Sequence, residues 1–178
     1  MRINTGSAKG TRLETLEGND TRPTSEKVKE AIFSAIQFNV GGRHVLDLFC
    51  GSGQMALEAL SRGATRAVMV DSSRSAVEIT KRNAQRTHLF SKCVVLASDY
   101  KAYLKATKDK FNLIFLDPPY EDGKMDKLID ELKEHDVIDS NAIIVCETSM
   151  TGIPREDHFP VAKTYRYGKI AVTIFRTE

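Results

Sequence analysis

The sequence predicts an α/β protein: a mostly parallel, doubly wound sheet that carries helices on both faces and ends in an antiparallel β-hairpin. Two observations support this fold class. Five short apolar runs alternate with amphipathic stretches, an order typical of doubly wound sheets. The chain then ends in two strand-like runs, 161–167 and 170–176, which are joined around Gly168 as in a hairpin.

A helix is predicted ahead of the sheet. Thr24 follows Pro23 and can cap the first helical turn, while Glu26 suits the positive end of the helix dipole. Apolar residues then recur at helical spacing and define one apolar face: Val28, Ala31, Ile32, Ala35 and Ile36. We therefore expect an amphipathic helix that starts at Thr24.

The segment before this helix contains only three large apolar residues and is punctuated by glycines. That is too little apolar surface for a core of its own. We interpret residues 1–20 as a short β-rich extension of a main domain that spans 21–178.

The strands and helices of the main domain follow from the alternation of patterns. Runs that are apolar on both faces suit parallel strands covered by helices on each side. The predicted strands are Val45–Cys50, Ala67–Val70, Cys93–Ala97, Leu113–Leu116 and Ala142–Cys146. The predicted helices lie near 53–62, 73–86, 100–107 and 124–134.

Length and composition indicate one globular domain, since the chain has 178 residues, of which 41% are apolar and 28% charged. No apolar run approaches the ~18 residues of a membrane span, and the N-terminus lacks a signal-like apolar region, so we expect a cytoplasmic protein. Three widely spaced cysteines, Cys50, Cys93 and Cys146, argue against a disulfide framework and against zinc. We interpret them as buried small hydrophobes, and we expect no metal site.

The net charge of +2 does not by itself indicate a nucleic-acid binder. Two stretches, however, contain basic residues and no acidic ones: 2–12 and 163–176. Either stretch can contact phosphates or form a solvated face, and the solvated face is the favoured interpretation of each stretch alone.

A tight glycine turn follows the first predicted strand. Gly51 and Gly53 can adopt backbone angles closed to other residues and allow a ligand to approach the main chain. The helix that follows favours an anionic group at its amino end. Asp47, placed before the glycines, would repel a pyrophosphate but can pair with the ammonium of a zwitterionic ligand such as S-adenosylmethionine. Ala56 is an imperfect match to the last glycine of a dinucleotide motif.

Two further acids end the next predicted strands. Asp71 lies 18 residues after Gly53 and can accept both hydroxyls of a ribose. Asp99 can accept a hydrogen bond from an adenine amino group, with a neighbouring side chain beside the ring. Each acid can instead simply cap the helix that follows it. Three acids at the carboxyl edge of one sheet together favour a ligand site.

The segment Asp117-Pro118-Pro119-Tyr120 follows the fourth predicted strand directly. Its prolines stiffen the exit from the strand. The Asp117 side chain and the Pro118 carbonyl can accept the two hydrogens of an exocyclic amine, which directs the nitrogen lone pair at a methyl donor. Tyr120 can stack on the base. The alternative, a rigid turn without function, is disfavoured by the position at the carboxyl edge downstream of the glycine turn.

The sequence resembles the RsmD family, bacterial methyltransferases that act on guanine N2 of 16S ribosomal RNA. The Asp117–Tyr120 segment resembles the amino-methyltransferase signature, and Leu46–Gly53 resembles the S-adenosylmethionine motif of the same superfamily. Narrower matches are Thr21–Phe33, Met1-Arg2-Ile3 with Lys9-Gly10, and Glu58–Ala64. One departure is Gln54-Met55-Ala56, a stretch that is usually small and glycine-containing in the family.

The resemblance implies a Rossmann-like class I methyltransferase fold with seven strands. It implies S-adenosylmethionine as cofactor and, as partner, 16S rRNA in the 30S subunit or its assembly intermediate, with the enzyme acting as a monomer away from membranes. The residues it assigns to the cofactor are Asp47, Phe49, Gly51, Ser52, Gly53, Asp71, Ser72, Asp99 and Tyr100. It assigns the amine to Asp117, Pro118, Pro119 and Tyr120, and RNA contacts to Arg2, Lys9, Arg12 and Arg22.

Three other functions stay open. The same chemistry can act on adenine N6 of DNA or RNA or on a glutamine side chain, although Asp before Pro-Pro argues weakly against glutamine. A nicotinamide-dependent oxidoreductase shares the fold class, but Asp47 and the lack of a substrate-domain insertion disfavour it. A catalytically silent RNA-binding module is disfavoured by the intact Asp117–Tyr120 segment.

Overall fold

A computed structural model describes residues 1–17, 25–119 and 123–178. Its seven strands are β1 (His44–Asp47), β2 (Arg66–Asp71), β3 (Cys93–Ala97), β4 (Phe111–Leu116), β5 (Ile138–Ser149), β6 (Val161–Tyr167) and β7 (Ile170–Arg176). The longer helices are α1 (Glu26–Ile36), α2 (Gln54–Ser61), α3 (Arg74–Arg86), α4 (Tyr100–Ala106) and α5 (Met125–Glu134). Within the described ranges, no helix has both the length and the apolar character needed to cross a membrane.

The strands form a single sheet in the order β3-β2-β1-β4-β5-β7-β6. Strands β1 to β5 are parallel to one another, whereas β7 is antiparallel to both β5 and β6. The predicted parallel sheet with a terminal antiparallel hairpin is thereby confirmed.

Strand β1 lies inside the sheet between β2 and β4, because the chain adds strands first on one side of it and then on the other. It pairs with β2 and with β4, and in the latter pair Asp47 lies opposite Phe115. The carboxyl ends of β1 and β4 therefore meet at the point where the strand order reverses. Doubly wound sheets bind their ligands at such a point.

Two apolar cores lie on the two faces of the sheet. Alternate residues of each strand point to opposite faces. On one face, Val45, Leu113 and Ile143 pack with α1, α2 and the N-terminal segment. On the other, Leu46 and Ile114 pack with α4 and α5.

The N-terminal segment, residues 1–17, is docked on the main domain. Its apolar residues Ile3, Ala8 and Leu13 are buried in the first of these cores. In place of the expected short strands, the described segment contains turns and one antiparallel bridge between Arg2 and Arg12. The extension is thus held by side chains and loop hydrogen bonds and not by membership of a sheet.

A buried ion pair also holds this segment. Lys29 of α1 and Glu58 of α2 are both fully buried, with Nζ 3.6 Å from a carboxylate oxygen. Glu58 accepts hydrogen bonds from the amides of Asn4 and Thr5, and the Lys29 ammonium donates to the Arg2 carbonyl. Removing one partner of such a pair would leave an uncompensated buried charge.

The start of α1 differs from the sequence expectation. Ser25 is the cap and accepts a hydrogen bond from the Val28 amide at 3.3 Å, and the helix begins at Glu26. The cap predicted at Thr24 lies outside the described residues. The buried face also includes Lys29 and Phe33.

The interpretation of the cysteines holds for two of the three. Cys50 and Cys146 are buried, whereas Cys93 is only partly buried, and all three are free thiols. Burial raises the pKa of Cys93 to about 12 and raises those of the other two as well. These thiols therefore stay protonated and behave as small apolar groups.

Candidate active site

A cleft of about 690 Å³ opens at the carboxyl ends of the parallel strands. Its walls come from the glycine turn after β1, the ends of β2, β4 and β5, the start of the β7 strand, and residues 15–17 of the N-terminal segment. The cleft is large enough for a small-molecule ligand, since such sites span about 300–1,000 Å³.

The glycine turn is built from two residues with left-handed backbone angles. Gly51 has φ +55° and Gly53 has φ +82°. A Cβ on Gly53 would lie 2.8 Å from Cγ2 of Thr80, so this glycine allows close packing against α3. A Cβ on Gly51 would meet no atom within 4 Å. Gly51 is therefore needed for its left-handed backbone angle and not for close packing. Its lack of a side chain leaves space on the cleft side for a ligand to approach the main chain.

Asp47 lies at the end of β1, beneath this turn. It is 3% exposed and lines the cleft. Burial, reinforced by the negative charge of Asp71, raises the pKa of Asp47 from 3.8 to about 7, while the amides of Ala56 and Phe49 partly oppose this by hydrogen bonding to the carboxylate. A buried carboxyl with so high a pKa is suited to a cationic partner, because the cation would favour its ionised form.

Asp71 ends β2 on the other side of the turn. One carboxylate oxygen accepts the Gly51 amide and the other accepts the Ser73 amide, both at 2.9 Å. Asp71 therefore fastens the glycine turn to the start of α3. Asp71 and Ser72 both line the cleft.

Asp99 and Tyr100 are placed differently. Asp99 accepts hydrogen bonds from the amides of Lys101 and Ala102, which makes it the cap of α4, and neither Asp99 nor Tyr100 lines the cleft. The helix-cap alternative therefore describes what Asp99 does in this structure. Tyr100 packs on Phe49, a cleft residue, with ring centroids 5.2 Å apart.

The Asp117-Pro118-Pro119 segment lines the cleft directly after β4. Because β4 pairs with β1, these residues lie beside the glycine turn, as the sequence predicts. Tyr120, the expected stacking residue, lies outside the described residues.

Several cleft residues were not among the predicted site residues. Glu147 and Thr148 near the end of β5, and Lys169 and Ile170 at the hairpin, all line the cleft. Glu147 follows the apolar run Ala142–Cys146, so the signal that identified Asp71 was also present there. The hairpin residues carried no comparable signal, because their position depends on the pairing of β7 with β5.

A further residue that was not predicted is Asn83, which is fully buried on α3. Its side-chain amide donates to the carbonyls of Ser52 and Glu14 at 2.9 and 3.0 Å, and its oxygen accepts the Glu14 amide at 2.8 Å. Asn83 thus connects the glycine turn to the N-terminal segment, whose next residues form a wall of the cleft.

The described RNA-contacting candidates lie outside the cleft. Arg2, Lys9 and Arg12 are exposed on the N-terminal segment, and none of the three lines the cleft. Arg22 lies outside the described residues. The exposed side chains are available for contacts with a large ligand.

Comparison with known proteins identifies the class of protein to which this chain belongs. A family model described as "Conserved hypothetical protein 95" matches residues 1–176. "Putative rRNA methyltransferase YlbH" of Bacillus subtilis is 38% identical over 150 residues, which cover 83% of this chain and 82% of that relative. "Ribosomal RNA small subunit methyltransferase D" of Escherichia coli is 28% identical over 155 residues, covering 86% of this chain and 78% of the relative. The solved "Putative methyltransferase yhhF from Escherichia coli" superimposes with a TM-score of 0.88 at 26% identity and covers 100% of this chain and 98% of that one.

The sheet order, with an Asp-Pro-Pro segment beside a glycine turn, is that of the Rossmann-like methyltransferases, and this chain is one of them. Within that class the match over residues 1–176 is specific. The chain belongs to the "Conserved hypothetical protein 95" family, the RsmD family, and the resemblance seen in the sequence is confirmed.

Proposed function

We propose that the protein transfers a methyl group from S-adenosylmethionine to the exocyclic N2 of a guanine in 16S rRNA. The observation that carries this proposal is the position of Asp117-Pro118-Pro119 beside the glycine turn, on the neighbouring strand. The names of the relatives, one of them a small-subunit rRNA methyltransferase, support the class of substrate. The proposed substrate is the 30S subunit or its assembly intermediate, and the proposed enzyme is a monomer.

The residues around the glycine turn fit this cofactor. Bound S-adenosylmethionine would supply a methyl group activated by the positive sulfonium. Asp47 would pair with the amino-acid ammonium, directly or through water, and Asp71 would accept the ribose hydroxyls with the lone pairs that its two amide bonds leave free. Phe49, Ser52 and Ser72 line the same cleft. At the adenine end of the site, Tyr100 would act through its contact with Phe49, whereas Asp99, which caps α4 outside the cleft, is given no direct contact with the cofactor.

The substrate side of the cleft is formed by the Asp-Pro-Pro segment. The Asp117 carboxylate and the Pro118 carbonyl would accept the two hydrogens of the amine and hold the nitrogen in line with the methyl group. The two prolines keep these acceptors in place. We assign Tyr120 the role of stacking on the base. The effect is mainly one of positioning, for which a misplacement of about 1 Å can cost ~100-fold in rate.

RNA binding is assigned to the extension of residues 1–20. Arg2, Lys9 and Arg12, together with Arg22, would contact the phosphate backbone. This assignment gives residues 21–178 the chemistry. Part of the specificity would then come from the assembled particle, and activity on 30S particles should exceed activity on a short naked hairpin.

The direct test is methylation of 30S subunits that lack the modification, with radiolabelled S-adenosylmethionine, nucleoside analysis and mapping of the modified base. We expect N2-methylguanosine at one site. Recovery of N6-methyladenosine would show that the target is adenine and not guanine. Label in protein would support the glutamine alternative. Tight binding of NADH without binding of S-adenosylmethionine would instead support the oxidoreductase.

The role of Asp117 is tested by the substitution Asp117→Ala. We expect turnover to fall by about 100-fold or more, because one of the two acceptors that orient the amine is removed. Affinity for S-adenosylmethionine, measured by calorimetry, should stay within about twofold of that of the wild type. Wild-type turnover in this variant would contradict the assigned role and would favour a catalytic centre elsewhere.

A further inference from the structure

The basic stretch 163–176 lies next to a second pocket beside the active-site cleft. This pocket, of about 320 Å³, is bounded by Ser25, Lys27 and Val28 at the start of α1 and by residues 167–170 of the hairpin. Lys169 and Ile170 line both the pocket and the cleft. A ligand in the pocket would therefore adjoin one in the cleft.

A row of side chains leads along β6 to this pocket. Lys163, Tyr165 and Tyr167 alternate along the strand and share one face of the sheet. The two tyrosine rings are nearly parallel, at 9°, with centroids 6.5 Å apart, and the Lys163 Nζ lies 5.0 Å from the Tyr165 centroid. Tyr165 is thus flanked by the other two residues. Tyr167 ends the row and forms a wall of the pocket.

The charge around the pocket is positive. The segment 161–176 contains no acidic residue, and Lys27, Lys163 and Lys169 are exposed. Among the described residues, none of these three lysines takes part in an ion pair within 4.0 Å. Glu26, next to Lys27 in the chain, is engaged by the Arg2 amide and the Lys29 ammonium. The surface therefore attracts anions.

Aromatic rings next to free basic groups match the chemistry of single-stranded RNA. Unpaired bases stack on aromatic side chains while lysines bind the phosphates. A regular duplex offers no free base face to such a ring. An acidic protein segment would satisfy the lysines, but it would not make use of the tyrosine at the wall of the pocket.

We propose that the hairpin surface, formed by Lys27, Lys163, Tyr165, Tyr167 and Lys169, binds an unpaired nucleotide that neighbours the target base. Its base stacks against Tyr167 in the 320 Å³ pocket, and the lysines contact the adjoining phosphates. The assignment rests on the proposed function, because it takes the target to be in RNA. It adds a second RNA-binding surface, formed by the terminal hairpin and the start of α1, to the one proposed for the N-terminal extension.

The test uses four variants of the full-length protein: Tyr167→Ala, Tyr167→Phe, Lys163→Glu and, as a matched control, Arg166→Glu. Arg166 is exposed on the same strand but points to the opposite face. For each variant, kcat and KM are measured with undermethylated 30S particles and with naked 16S rRNA, and the Kd for S-adenosylmethionine is measured by calorimetry. Thermal melting monitors folding, and the exposed position of Lys163 keeps the test valid if Tyr167→Ala unfolds.

We expect KM for both RNA substrates to rise about tenfold in Tyr167→Ala and in Lys163→Glu, through lost stacking and added repulsion. Tyr167→Phe and Arg166→Glu should stay within about twofold of wild type, and the cofactor Kd should not change. An unchanged KM in Tyr167→Ala and Lys163→Glu overturns the assignment. So does an equal effect of Arg166→Glu, or an effect on 30S particles that is absent with naked rRNA, which would indicate a ribosomal protein as partner.

The two proposals fail in different ways. A wild-type protein that methylates no RNA overturns the proposed function and this assignment together. A wild type that methylates RNA, with variants that match it, overturns the hairpin surface alone.

Discussion

At the scale of single residues, the acid that ends β1 combines complete burial with a neighbouring negative charge. Asp47 lies under the glycine turn and has a pKa of about 7, raised first by burial and then by Asp71. An unfolded chain would ionise the same carboxyl near 3.8. Between these values the folded protein holds a proton that the unfolded chain has lost, so this group destabilises the fold progressively as pH rises from about 4 to 7 and by a constant amount above.

The substitution Asp47→Asn tests this linkage. Relative to wild type, the variant should gain on the order of 4 kcal/mol in free energy of unfolding between pH 4 and pH 8, because the amide does not ionise. Urea unfolding at several pH values measures the difference. If the difference in free energy of unfolding between the two proteins does not depend on pH, the raised pKa of Asp47 is contradicted, whatever the size of that difference.

At the scale of elements, α3 connects two parts of the cleft through one side chain. Asn83 makes three hydrogen bonds, which join the Ser52 carbonyl of the glycine turn to the backbone of Glu14. The exposed neighbour Arg82 contacts the same Glu14 through its carboxylate at 2.7 Å. The helix thus contacts the N-terminal segment both in the core and in solvent.

These two contacts should differ in strength. We expect Asn83→Ala to lower the free energy of unfolding by about 2–4 kcal/mol and to weaken cofactor binding, because it leaves buried backbone groups without partners. Arg82→Ala should cost less than about 1 kcal/mol, as exposed ion pairs do. Urea unfolding and calorimetry with S-adenosylmethionine compare the two variants, and equal effects would argue against Asn83 as the connecting residue.

The docking of the N-terminal segment depends on close packing against α2. A Cβ on Gly6 would lie 1.8 Å from the Ser61 carbonyl oxygen, whereas a Cβ on Gly10 would meet nothing within 4 Å. Both residues have positive φ, +92° and +85°. Substitutions at these two glycines therefore distinguish the effect of backbone strain, which both share, from the effect of a steric clash with α2, which occurs only at Gly6.

We expect Gly10→Ala to cost about 1–2 kcal/mol of stability, through strain alone. Gly6→Ala should cost more and should expose the segment to protease, because the methyl group displaces it from α2. Denaturant unfolding and limited proteolysis of the two variants provide the comparison. Equal protease resistance of the two would show that the segment tolerates the added methyl group.

At the scale of the whole molecule, a net charge of +2 conceals an uneven distribution. The acid-free basic stretches 2–12 and 163–176 lie on the N-terminal segment and on the terminal hairpin, while the cleft contains the acids Asp47, Asp71 and Asp117. Binding of RNA and binding of cofactor should therefore respond differently to salt.

Raising potassium chloride from about 50 to 200 mM should increase KM for the RNA substrate by about tenfold or more, since each phosphate contact releases counterions. The Kd for S-adenosylmethionine should change much less, because its proposed partners are buried in the cleft and screened little. Steady-state kinetics and calorimetry at several salt concentrations measure both. A parallel response of the two constants would argue against the basic segments as RNA contacts.

The sequence predicted most of the fold because the strands are apolar on both faces and the helices amphipathic. The bounds of β6 and β7 were predicted to the residue, and Asp47, Asp71 and Asp117 were expected at the carboxyl edge where the cleft lies. What sequence could not supply were features that depend on partners distant in the chain. Lys29 was not recognised as buried because its partner Glu58 lies on another helix, and the role of Asn83 could not be predicted because its partners Ser52 and Glu14 are distant in the chain.

The pairing of β1 with β4 fixes the distance between the segments that follow these two strands. Backbone hydrogen bonds hold the two strands about 4.8 Å apart, and the two segments that we propose hold the methyl donor and the amine follow these strands. Insertions, deletions or charge changes in the peripheral loops and the hairpin leave that spacing untouched. If the proposed function holds, evolution can redirect such an enzyme to a new nucleotide by changing the residues at the rim of the cleft, while the distance between the proposed donor and acceptor sites stays the same.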